Sequence, residues 1–147
     1  MRNLIRSLFA ALVIAGCASQ LPPLTETYRS LVGEHDIRTV ALYPSIPIVF
    51  KSVRELDPVP QEEKNVFSPT GHRLIEISDT TSGRVVAQGE GWLSVDFGCG
   101  IELTFTRRST DGVYAMPGWG THTIEGERYD LVVGVLSGAD IELRIKN

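Results

Sequence analysis

Strict alternation of apolar and polar positions dominates the second half of the chain. Leu93, Val95 and Phe97 fall on one side of a strand, with Trp92, Ser94 and Asp96 on the other. Ile101, Leu103 and Phe105 repeat the pattern against Glu102, Thr104 and Thr106, and Ile141, Leu143 and Ile145 repeat it against Glu142, Arg144 and Lys146. A period of two with one polar face predicts half-solvated antiparallel strands. Earlier in the chain Ile46, Ile48 and Phe50 share a side, and Pro44 and Pro47 predict an edge position or a late start for that strand. Residues 73–78 and 84–88 read as a hairpin closed by Asp79-Thr80-Thr81-Ser82-Gly83. Gly98-Cys99-Gly100 and Thr110-Asp111-Gly112 read as turns, and Gly89 and Gly91 as a bulge or a close backbone approach. A last hairpin runs from Trp119–Ile124 through Glu125-Gly126-Glu127 to Tyr129–Leu136.

Short strands separated by turns at near-regular spacing predict an all-β fold, a small antiparallel β-barrel or β-sandwich of about eight strands. One long loop interrupts it over 57–71, where three prolines and Glu62-Glu63 break any periodicity. Tyr28–Val32 reads as a first strand or a short helical turn that Gly33 ends, and no segment after Cys17 carries a long amphipathic helical pattern.

The N-terminus follows a different rule. Arg2 and Arg6 precede an unbroken apolar run, Leu8–Ala15, and Ile14-Ala15-Gly16 leads directly into Cys17. The run is too short to span a bilayer, which takes about 20 residues. A basic flank, a short apolar core and small residues at its end define an export signal. Together these residues resemble the signal peptide and lipobox of bacterial lipoproteins, with Ile14 as a permitted variant of the usual leucine. The resemblance implies cleavage before Cys17, a diacylglyceryl thioether on its sulfur and an amide-linked acyl chain such as palmitate on the new terminus. It also implies a cell-envelope address. Because Ala18, not Asp, follows the cysteine, it favours the outer membrane, facing the periplasm, in a source that has one. The expected division is 1–16 signal peptide (helical), 17–27 lipidated tether with Pro22-Pro23, and 28–147 a single β domain.

Charge and cysteine count narrow the partners. The chain carries −4, and loss of Arg2 and Arg6 with the signal makes the remainder more acidic. A net acidic domain is poorly suited to nucleic acid or to peripheral binding on anionic lipid. With Cys17 lipidated, Cys99 has no partner in the chain; burial as a small hydrophobe is expected ahead of a reactive thiol or an intermolecular bridge.

The search for chemistry returns little. His35, His72 and His122 are scattered, with no Cys-x-x-Cys pair, so no metal site is expected. No Gly-x-Ser-x-Gly elbow, phosphate-binding Gly-rich loop or dinucleotide fingerprint is present, so neither catalytic residues nor a cofactor are assigned. The richest stretch runs from Tyr114 to His122. It gathers Tyr114, Met116, Trp119 and His122 around Pro117-Gly118 and, with Trp92, makes up the expected partner-binding set. The expected function is a lipid-anchored, non-enzymatic protein-binding or assembly module with an envelope protein as partner. The alternatives are a small apolar-ligand carrier, and an envelope enzyme or an inhibitor of a cell-wall-active enzyme.

Overall fold

The computed structural model of the protein describes residues 21–54, 66–67, 71–132 and 140–146. The export signal and Cys17 lie outside these residues, as does most of the long loop. The elements are one helix, α1 (Glu26–Ile37), and strands β1 (Leu42–Pro44), β2 (Ile48–Ser52), β3 (Val66–Phe67), β4 (Leu74–Ile77), β5 (Arg84–Gly89), β6 (Trp92–Asp96), β7 (Glu102–Arg107), β8 (Tyr114–Met116), β9 (Thr121–Ile124), β10 (Glu127–Leu131) and β11 (Ile141–Ile145). They build two antiparallel sheets, ordered β1-β11-β8-β7-β6-β5 and β3-β4-β2-β10-β9. The fold is the small all-β type that the alternation predicts.

The two sheets share bent strands. Leu42 exchanges both backbone hydrogen bonds with Gly83, at 2.9 and 2.7 Å, which joins β1 to the start of β5. Further along, Ile48 opposes Ile77 in the same register, so β1–β2 and β4–β5 run beside each other through both sheets. The hairpin expected between 73–78 and 84–88 therefore does not form. β4 pairs with β2 and β3, β5 pairs with β6, and the intervening turn bends one strand around a corner. Pro44 and Pro47 lie at the matching corner between β1 and β2, where an absent N–H costs no ladder bond. The six-stranded sheet thus curls until its edges meet, while among the described residues no bridge joins β3 to β9.

At one rim β8 and β11 pair only through Ile141↔Met116 and Glu142↔Ala115, then diverge. The fork is filled by residues 22–25. Ile145 donates to the Pro22 carbonyl (3.0 Å), Leu24 donates to Leu143 (2.8 Å), Tyr114 donates to Leu24 (3.0 Å) and Glu26 donates to Gly112 (2.9 Å). Leu24 is the fully buried apex of this wedge. The extended path favoured by Pro22-Pro23 is present, but it is bonded into the sheet and does not lead away from it.

Thr25 starts α1 by accepting a bond from the Tyr28 N–H through its hydroxyl (3.2 Å). Gly33 leaves helical geometry at φ 78°, ψ 169°, and the chain resumes a helical turn to Ile37. Tyr28, Val32 and Ile37 pack on the core. The interior is filled by Leu42, Phe50, Leu93, Leu103, Phe105, Tyr114 and Tyr129, each buried. Burying a large apolar side chain stabilises by roughly 1.5–3 kcal/mol, so this cluster dominates the fold's stability.

Candidate functional site

The expected docking set divides when placed on the fold. Tyr114 and Met116 are buried, because every residue of β8 is covered on both faces. They belong to the core and offer no docking surface. Trp119 stands in the corner between β8 and β9 with 69 % of its surface exposed. Gly120, at φ 122°, accepts a bond from the Leu131 N–H (2.9 Å) and fixes that corner to β10. Thr121 follows and donates its hydroxyl to Asp130 Oδ1 (2.8 Å). His122 turns inward and meets the Phe50 ring edge-on, with centroids 5.4 Å apart. Burial holds its pKa below the ordinary histidine value, so the ring is neutral near pH 7. Trp92 is half-exposed and lies across its own hairpin. A Cβ on Gly89 would fall 2.2 Å from the indole Nε1, so a side chain there would displace the Trp92 ring. The group that approaches Gly89 is thus an indole and not backbone, and the bulge of this hairpin lies between Val85 and Ala87.

A polar cluster unforeseen in the sequence closes one mouth of the curled sheet. Register places Arg107 opposite Tyr114, on the face that carries Phe105. From α1, Arg29 donates to the Tyr114 hydroxyl (2.6 Å), to Gln88 Oε1 (3.3 Å) and to the Gly89 carbonyl (2.8 Å). Its guanidinium also sits 5.5 Å from the centre of the Tyr114 ring. The Tyr114 hydroxyl donates in turn to Glu26, whose other oxygen lies 3.7 Å from Arg107. Gln88 donates to the Glu34 carbonyl (3.0 Å). Desolvation, helped by Glu26, pushes the Tyr114 pKa up, so its hydroxyl keeps its proton and cannot act as a base at neutral pH. The cluster fastens the helix across the mouth.

Outside the ring, Arg108 binds Asp111 (2.7 Å) and Glu142 (2.7 Å), and Arg144 binds Glu142 (2.8 Å) and the Leu21 carbonyl (3.1 Å). These contacts hold the β7–β8 turn and the incoming chain against β11. The hydrogen bond from Arg108 lowers the Asp111 pKa. Cys99 is exposed at φ 54° between two glycines that also have positive φ, which corrects its expected burial. A hairpin tip has no second layer to cover it.

Among the described residues no group of three or more His, Cys, Asp or Glu is placed to hold a metal ion. Nor, among them, is any helix long and apolar enough to cross a membrane. Comparison with known protein families, characterised proteins and solved structures finds no match.

Proposed function

We propose that this chain is a lipid-anchored cell-envelope protein whose β domain is a non-enzymatic binding or assembly module for another envelope protein. The observation that carries this reading is Trp119. An indole exposed at 69 % on a corner pinned by the Gly120–Leu131 bond is a rigid aromatic anchor offered to solvent. Such anchors dominate protein interfaces because they bury much area at small entropic cost. The interior positions are occupied by the chain's own side chains, so the binding surface in this reading is the outside. The anchor rests on the run Leu8–Ala15 and on Ile14-Ala15-Gly16-Cys17.

Crosslinking in intact cells, followed by affinity purification and mass spectrometry, tests both halves. One dominant envelope protein, lost with Cys17→Ala and with Trp119→Ala, is the expected result. Equal capture by a folded Trp119→Ala variant removes the corner from the interface, and normal processing and membrane retention of Cys17→Ala removes the anchor.

A further inference from the structure

We infer that the outer side of α1, centred on Leu31, rests against the lipid surface that holds the anchor; this rests on the lipidation of Cys17 proposed above. Three observations lead there. The first is the length of free chain. The Leu21 carbonyl is already held by Arg144, and residues 22–25 are bonded into the fork between β8 and β11. Only four residue steps separate Cys17 from Leu21, and four extended residues reach at most about 14 Å. The rim that carries the fork therefore stays close to the lipid.

The second is where α1 lies. It leaves the fork at Glu26, crosses the mouth above Tyr114 and Gln88, and returns the chain to β1 through Ile37. Among the described residues the helix is thus the outermost layer at the rim where the chain enters. The third is what that layer presents. Arg29 points into the mouth, and position 31 lies about 200° further round a helix of 3.6 residues per turn, on the opposite side. Leu31 is 80 % exposed, the most exposed large apolar residue described. The same leucine at a headgroup boundary buries its side chain beside a fixed acyl anchor. β9 belongs to the five-stranded sheet and takes no part in the fork, so exposed Thr123 on it serves as the reference position.

The test uses the lipidated full chain reconstituted in phosphatidylethanolamine vesicles. In a Cys99→Ser background, a bimane label is placed at Leu31→Cys or at Thr123→Cys, and quenching by lipids with a nitroxide near the headgroup is measured. Intact mass of the processed N-terminus is recorded on the same samples. Quenching at 31 at least about twofold stronger than at 123 is expected for a residue at the interface. Equal quenching at both sites, with lipid on Cys17, overturns the inference and leaves the anchor standing. An unmodified Cys17 overturns the anchor, and the inference with it.

Discussion

At the scale of single residues, the corners and rims of this fold are fixed by contacts that leave no spare volume. Gly83 carries the bridge to Leu42, and a Cβ built there would fall 2.5 Å from Val95 Cγ1 and 2.8 Å from the Phe97 ring. Neither neighbour is the free end of a long side chain, and both are buried. Gly83→Ala is expected to cost about 1–3 kcal/mol through overpacking, whereas exposed Ser82→Ala should stay within about 0.5 kcal/mol. Urea denaturation of both variants checks this. His122 makes a pH prediction. Its folded pKa lies below the unfolded value of 6.5, because burial disfavours the charged ring. The unfolded chain therefore binds more protons than the folded one as pH falls below 6.5. The stability of the neutral ring is fully present above that pH and is lost towards the folded pKa. Denaturation midpoints at pH 7.5 and 5.5 should differ more for the native chain than for His122→Gln. An equal difference would place the pH dependence elsewhere.

At the scale of elements, the strands were legible and the corners were not. The alternation names the buried face of β7 fully because that strand meets solvent on one side for its whole length, whereas in β6 Ser94, on the polar side of the pattern, is buried and hydrogen-bonds Thr104 (2.8 Å), and the polar side of β11 is half-covered. The segment 73–88 misleads because two apolar runs separated by Asp79–Gly83 carry the local signal of a hairpin whether the chain reverses or merely bends. What decides is the non-local bridge from Gly83 to Leu42, which no local pattern contains. Helix α1 is half legible: Tyr28 and Val32 have helical spacing, but Gly33 cuts the pattern short, and the N-cap Thr25 falls in the stretch that Pro22-Pro23 marks as a tether. At the candidate site, residue type alone points to Trp119 but groups it with Tyr114 and Met116, which the covering of β8 on both faces puts in the core. Arg29 was missed because its partners Gln88 and Tyr114 lie 59 and 85 residues away. Its network makes a double-mutant prediction. Arg29→Met and Tyr114→Phe each remove one side of the same hydrogen bond, so their costs should fall short of additivity by about 0.5–3 kcal/mol. Additive costs from thermal or urea unfolding would mean that Arg29 holds the helix through Gly89 and Gln88 alone.

At the scale of the whole molecule, the wedge of residues 22–25 is the closing piece of a curled sheet, and its removal should be felt everywhere. A chain lacking residues 1–20 keeps all four backbone bonds of the fork, so it is expected to unfold in the same cooperative transition as the longer protein. A chain lacking residues 1–25 leaves the polar groups of Ile145, Leu143 and Tyr114 without partners and deletes the fully buried Leu24. Loss of a buried leucine alone costs about 2–5 kcal/mol, against a total stability of roughly 5–15 kcal/mol for a domain of this size. Near-ultraviolet circular dichroism should show fixed aromatic packing in the first truncation and its loss in the second. Hydrogen exchange locates the difference. In the first truncation the β5–β6–β7 ladder is expected to exchange last, and β9, which ends the five-stranded sheet, first. In the second, protection should fall at β8 and β11 before β2 and β4, because the fork is where the ring is held shut. Uniform protection in both would mean that the six strands stay closed without the wedge, and that the segment is only a strap lying on the surface.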